Sequence, residues 1–187
     1  MLVETLVEHK KYSVEEYFEL EKTSEIRHEF VNGELIAMPG ESKIANEIAG
    51  NIYVSLRNIF KKRALKVYNH DVRLILDERN RYRYPDIVVA PTIDDEDSHA
   101  IKQPVLIVEV FSENSVKTDT ITKLKEYSVL PTLQYYLIVS QEEPLVEVYA
   151  RNADKWEFRC YTDLQENIDL STLNTSILVG DIFEGVF

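Results

Sequence analysis

The chain has 187 residues, a length that one domain with a full hydrophobic core fills more readily than two small ones. With 44% hydrophobic and 29% charged residues and only five Gly and six Pro, it is neither collagen-like, low-complexity nor largely disordered. A net charge of −12 argues, on average, against a nucleic-acid partner.

Ser13 and Glu16 have the form of a capping box, and the run after them reads as a short helix ending near Thr23. The segment 28–38 alternates around Asn32-Gly33, the signature of a two-residue hairpin turn. From Ser42, Ile44, Ile48, Ile52, Leu56 and Ile59/Phe60 recur at the helical period, and Lys61-Lys62-Arg63 suits a helix C-terminus. Three β-rich runs follow, Ala64–Asn69, Val72–Leu76 and Asp86–Ala90, with a charged turn over Asp77–Asn80 between the last two and Pro85 at a strand entrance. Asp94–Asp97 reads as a solvated loop. Val105–Phe111 has buried-strand character, Ser115–Leu130 helical character, and Gln134–Ser140 is again a strand, which implies a right-handed crossover and a parallel pair. Val146–Arg151 and Trp156–Tyr161 flank Asn152-Ala153-Asp154 as a late hairpin.

A lone Cys160 permits neither an intramolecular disulfide nor a cysteine zinc cage, and Glu4 and Glu8 interrupt the apolar stretch that a signal peptide needs. No run approaches the roughly 20 apolar residues that cross a bilayer, so the expected setting is cytoplasmic, away from membranes. The charge is also uneven. Residues 1–93 hold 14 Lys/Arg against 15 Asp/Glu, whereas residues 94–187 hold 7 against 18, so almost all the acidity lies late. Between Arg57 and Arg83 nine basic residues face three acidic ones. That stretch is either a solvated helix end plus a charged hairpin or a phosphate-binding face.

Glu109 interrupts an otherwise apolar strand, where an ionised carboxylate needs a positive partner; a buried ion pair is the plain solution. Asp86, at the head of the preceding β-run, can face the same side of the sheet. Two carboxylates on neighbouring strands repel unless a divalent cation lies between them, and hard oxygen ligands suit Mg²⁺ or Mn²⁺. In the following helix Asp119, Lys123 and Tyr127 recur at intervals of four and share a face. A surface Asp119–Lys123 pair is the plain reading, but a helix folding back across the sheet edge would bring the ammonium to Glu109. The histidines His9, His28, His70 and His99 show no local ligand spacing and are expected in surface or packing roles, with His70 and Asp71 placed at the cleft. No nucleophile elbow or phosphate-cradling glycine loop occurs.

At these residues the sequence resembles a large bacterial family described as putative restriction endonucleases, within the PD-(D/E)XK nuclease superfamily. The resemblance rests on residues 28–42, on YPDIVV at 84–89, on IVEVFSENS at 107–115, and on the Asp119, Lys123, Tyr127 frame followed by QYYLIVS. It implies a single α/β (α+β) domain over 1–187, with a restriction endonuclease-like core, a central mixed β-sheet flanked by helices, and N-terminal and C-terminal β-hairpins. It also implies metal-dependent hydrolysis of DNA phosphodiesters by Asp86, Glu109 and Lys123, with Asp86 and Glu109 holding Mg²⁺ or Mn²⁺. In the wider superfamily the lysine lies two residues after the acid, where this chain has Phe111; the resemblance moves it to Lys123. A family histidine in the first long helix is Ala45 here, so no role carries over to that position, while Gln134, in place of a family Glu, can orient Lys123.

Glu29, Asp71 and Asp119 are accessory candidates. Arg57, Lys61, Lys62, Arg63, Arg73, Arg81 and Arg83 are the candidate phosphate contacts, and double-strand cleavage would suit a homodimer. The rival readings are a catalytically silent nuclease fold serving as a protein-binding or regulatory module, which the acidic second half favours, and an acidic interaction protein with no site.

Overall fold

A computed structural model describes residues 10–38, 40–77, 81–92, 97–111 and 117–187, with residues 117–120 described by backbone alone. The first helix, α1 (Val14–Thr23), carries the expected capping box: Glu16 N donates to Ser13 Oγ at 3.1 Å and Ser13 N donates to Glu16 Oε2 at 2.8 Å. Strands β1 (His28–Val31) and β2 (Glu34–Ala37) form the hairpin, with Asn32 at φ 51° and Gly33 at φ 91°, the positive values that this turn demands.

Helix α2 (Lys43–Phe60) is capped by Ser42, whose Oγ accepts from Ala45 N at 3.0 Å. Its apolar stripe, Ile48, Ile52, Leu56 and Phe60, is fully buried. The stripe packs on a six-stranded sheet of β3 (Leu65–Asn69), β6 (Ile87–Pro91), β8 (Leu106–Phe111), β9 (Tyr135–Ser140), β10 (Val146–Asn152) and β11 (Lys155–Tyr161). The period-two alternation of the strands divides their side chains between two cores. Ile87, Val89, Leu106 and Val108 meet α2, and Val88, Ala90, Ile107 and Ile138 meet the opposite layer. Strands β8 and β9 are parallel, joined through helix α3 (Lys117–Ser128), whose Tyr127 is buried in that opposite core. Arg151 gathers the carbonyls of Ser128, the last residue of α3, and of Leu130 and Leu133 beyond it, and so fixes that end of the helix to β10.

A second sheet runs β2, β1, β5 (Arg81–Arg83), β4 (Arg73–Asp77) and β7 (Ala100–Ile101), with α1 packed on it through Tyr17 against Phe30 and Tyr82. Here the structure corrects the expectation of two neighbouring runs joined by one charged turn. Strand β4 pairs with β5 in this sheet, and the chain then crosses through Tyr84 and Pro85 to enter the other sheet as β6. Of the expected acidic loop only Asp97 falls within the described residues, and it meets Arg73 at 3.4 Å. The C-terminal pair β12 (Asn167–Leu170) and β13 (Thr175–Leu178), with the short helix α4 (Val179–Ile182), closes the α2 side of the core.

Arg83 joins the two halves. Only 2% exposed, it donates from Nη1 to Glu29 Oε2 at 2.6 Å and from Nε to Glu126 Oε2 at 2.9 Å, linking β5 to β1 and to α3. Removing one partner from such a network strands buried charge. Arg83→Met, which keeps the packing volume but takes the nearest cation from both Glu29 and Glu126, is expected to lower unfolding free energy by about 3–5 kcal/mol in urea titrations at neutral pH. A loss below ~1 kcal/mol would show that the network is solvated and carries little.

Candidate active site

Three strands place three polar side chains in one row. Asn69 opposes Ile87 and Ile87 opposes Val108, so the next positions along the same registers set His70 against Asp86 and Asp86 against Glu109. Backbone bonds tie the row together: His70 N donates to Asp86 O at 3.0 Å, and Val110 N donates to Asp86 Oδ2 at 2.6 Å. The row lies where β3, β6 and β8 meet the second sheet, which is why it is largely buried.

Helix α3 supplies two further functional groups. Lys123 and Tyr127 lie one turn apart and both reach Glu109, the ammonium at 3.1 Å from Oε2 and the phenol donating to Oε1 at 2.8 Å. Lys123 also lies 3.6 Å from Glu29, and its side chain is 14% exposed. Lys123 is therefore held at Glu109 and Glu29; the expected pair with Asp119 involves a side chain outside the described residues. Glu29, an accessory candidate from sequence, is brought in through both Lys123 and Arg83.

The electrostatics are unbalanced. Among the described residues, the carboxylates of Glu109, Glu29 and Glu126 are held together by Arg83 and Lys123, and Asp86 lies next to Glu109, outside these ion pairs. Burial, then the charge of Glu109, pushes the Asp86 carboxyl up to about 8. Burial also raises Glu109, with Lys123 opposing it, and raises Tyr127 well above the ordinary phenol, so Tyr127 remains a donor. A carboxyl held protonated by burial and a like charge is a place where a cation would be stabilised, and the donor set fits one. Glu41, His70 and Asp86 each offer a ligand atom, all within 4.8 Å of one another.

These residues open onto a cleft of about 1100 Å³, whose charged lining is mainly acidic, with Glu25, Glu41, Glu47, Asp71 and Asp86 against Arg27 and Lys43. Asp71 is on the cleft, exposed, 3.7 Å from Arg27 Nε. Two sequence candidates are displaced. Gln134 cannot orient Lys123: it lies at the start of β9, beyond the Leu106–Tyr135 pair, whereas Glu109 pairs with Ile138, and its amide donates to Thr132 O instead. Arg83 is no phosphate contact, because its guanidinium is buried between Glu29 and Glu126.

The remaining basic residues are divided between places: Arg57, Lys61 and Arg63 line one small pocket at the C-terminal end of α2, and Arg73 and Arg81 lie on the second sheet. Arg73 stacks over Phe18 and meets Asp97, Arg81 lies 3.9 Å from Glu126, and Arg63 donates to the carbonyls of Leu173 and Asn174. Arg57, Lys61 and Lys62 are exposed near the C-terminal end of α2, while the cleft takes the N-terminal end of that helix. Eighteen residues of helix separate the two ends by about 27 Å. The sequence points to neither Glu41 nor Glu126, and it places His70 at the cleft without showing a partner for it. The signal was the register of β3 against β6, which a residue pattern does not reveal.

The family described as "Putative restriction endonuclease", Uma2, matches residues 14–179. The chain belongs to that family. Among its relatives are two proteins of Synechocystis. "Uncharacterized protein slr1290" is 28% identical over 178 residues, covering 94% of this chain and 93% of the relative; "Uncharacterized protein sll1609" is 32% identical over 143 residues, covering 75% and 81%. The fold also matches the crystal structure of a putative nuclease belonging to DUF820 from Anabaena variabilis, with a TM-score of 0.76 at 16% identity, over 94% of this chain and 99% of that one. At that identity the match concerns the fold, the mixed α+β architecture of sheets flanked by helices. Among the described residues of this Uma2 chain no helix is long and apolar enough to cross a membrane.

The raised Asp86 carboxyl has a consequence for stability. Its folded value of about 8 lies above the ordinary 3.8, so between those values the folded state binds more protons and stability falls as pH rises. For metal-free protein the melting temperature is expected to drop between pH 5 and pH 8, and Asp86→Asn, which keeps an acceptor for Val110 N, should flatten that drop. An unchanged slope in the variant would show that Asp86 is not the titrating group.

Proposed function

We propose that this chain is a metal-dependent endonuclease that hydrolyses DNA phosphodiester bonds. The observation that carries the reading is the convergence of Lys123 from α3 on Glu109 of β8, with Asp86 across from Glu109 at the head of the neighbouring strand β6. A strand acid, a second strand acid and an ammonium, held by a tyrosine and a second glutamate, form the charge pattern of phosphoryl chemistry. Membership of a family described as putative restriction endonucleases supports it.

Asp86 and Glu109 would hold the cation, Mg²⁺ or Mn²⁺. When bound, it supplies Lewis-acid polarisation and neutralises phosphate charge. Tyr127 fixes the Glu109 carboxylate through Oε1, and this leaves Oε2 to hold Lys123. Lys123, with Glu29 on its other side, keeps an ammonium beside the acids, where it can place a water or stabilise charge developing on the scissile phosphate. A homodimer would supply the two centres that double-strand cleavage needs.

The acidic lining of the cleft favours the second reading, a silent nuclease fold acting as a binding module, because phosphates approach such a cleft only with cations. Single-turnover cleavage of supercoiled plasmid at saturating Mn²⁺ and Mg²⁺ separates the two. Wild type is expected to nick the plasmid, and Lys123→Met to slow nicking by about 10²–10³-fold. Because Lys123 also separates Glu29 from Glu109, the variant should melt lower as well, so rates are compared below its transition. Cleavage at the normal rate by folded Lys123→Met removes the lysine from the chemistry, and an inactive wild type on plasmid, linear and single-stranded DNA favours the silent module.

A further inference from the structure

The cleft side of Asp86 carries a second set of donors that the endonuclease reading does not use. Glu41 stands just before α2, His70 just after β3, and Asp86 just before β6. His70 Nδ1 lies 3.1 Å from Glu41 Oε1 and 4.0 Å from Asp86 Oδ1. Val110 N occupies the other Asp86 oxygen at 2.6 Å, and the backbone bond from His70 N to Asp86 O keeps the imidazole beside it. Three ligand atoms within 4.8 Å of one another match the spacing around a single ion, whose bonds of roughly 2.0–2.4 Å place neighbouring ligands about 3–4.5 Å apart. All three residues line the wide cleft, so an ion there is reachable from solvent and from a ligand in the cleft. Glu109 already accepts one hydrogen bond at each oxygen, from Lys123 and Tyr127, so an ion held by Asp86 and Glu109 draws its further donors from Glu41 and His70.

We infer that Glu41, His70 and Asp86 form a mixed nitrogen–oxygen cation site that takes a first-row transition ion, Mn²⁺ or Co²⁺, in preference to Mg²⁺. The inference rests on the metal-dependent reading above and names the ion and the donors that complete its site. The reason is the imidazole. Mg²⁺ prefers oxygen ligands and gives up water reluctantly, whereas transition ions accept a nitrogen donor. An ion here replaces the proton that His70 and Glu41 share, and its charge offsets the carboxylates around Asp86. Asp86 then belongs to both sides of the site, with Lys123 and Glu109 behind it and the cleft in front.

The test uses the full chain stripped of metal by chelation. Mn²⁺ is titrated while the free-ion EPR signal is followed, Mg²⁺ is added as competitor, and bound Mn²⁺ is examined for ¹⁴N coupling. Wild type is expected to bind Mn²⁺ at least about tenfold more tightly than Mg²⁺, and to show imidazole nitrogen coupling. His70→Asn is the variant of choice because His70 has φ 42°, a value that Asn tolerates. It should abolish the coupling and weaken Mn²⁺ by about tenfold or more, with Mg²⁺ changed far less. Glu41→Gln should weaken both ions. If His70→Asn fails to fold, nitrogen coupling that survives replacement of His9, His28 and His99 by Gln supports the assignment, and its absence overturns it. Mn²⁺ binding that requires Asp86 but shows no nitrogen coupling and is unchanged in His70→Asn overturns the inference and leaves the endonuclease reading standing. A wild type that binds no divalent ion overturns both.

Discussion

The structure depends on one chain of buried charge. Glu126, Arg83, Glu29, Lys123 and Glu109 follow one another across the junction of two sheets and a helix, each within ion-pair distance of the next. Taking these groups out of water is costly, and their mutual attraction repays it only when the geometry is good. The network therefore constrains the fold as much as it stabilises it. Arg83 sets the distance between β5 and α3, Glu29 holds β1 against both cations, and Lys123 cannot move without leaving two carboxylates facing each other. The position of α3 over the ends of β8 and β9 is fixed from one side by this network and from the other by Arg151 on the carbonyls after the helix.

The chemistry follows from where the chain of charge ends. Arg83 and Lys123 answer Glu126, Glu29 and Glu109, but the next carboxyl, Asp86, is met by a backbone N–H and by the Glu41–His70 pair. Burial and Glu109 then raise it. A site built this way stores a demand for positive charge next to an ordered ammonium, at the floor of a cleft. On the proposed endonuclease reading, an acidic chain would meet an anionic substrate through a cation bound at Asp86 and the ammonium of Lys123 rather than through its net charge.

Much of this was legible in the sequence because it is local. The capping box at Ser13, the Asn32-Gly33 turn and the helical stripe of α2 depend on neighbours a few residues away; Glu109 stands out because a charge in an apolar strand demands explanation, Asp86 because it heads the neighbouring β-run, and Lys123 because it shares a helix face with Asp119 and Tyr127. What was not legible depended on pairing between distant segments. Strand β5 reads Arg-Tyr-Arg, which looks like an exposed turn until Glu29 and Glu126 arrive to bury it. His70 looked solitary because its partners lie 29 residues before and 16 residues after it, and only the β3–β6 register brings Asp86 alongside. Gln134 differs for the complementary reason: the resemblance that suggested it, a Gln where the family has Glu, said nothing about which end of β9 meets Glu109.

The claim that organises these observations is that a divalent cation supplies the positive charge that the buried network lacks at Asp86. The most direct measurement is an anomalous difference map from a crystal of the protein soaked in Mn²⁺. The account predicts a strong peak at coordination distance from the Asp86 carboxylate, on the side facing the cleft, with Lys123 still on Glu109. A fully soaked crystal with Mn²⁺ on surface carboxylates and none at Asp86 would contradict it.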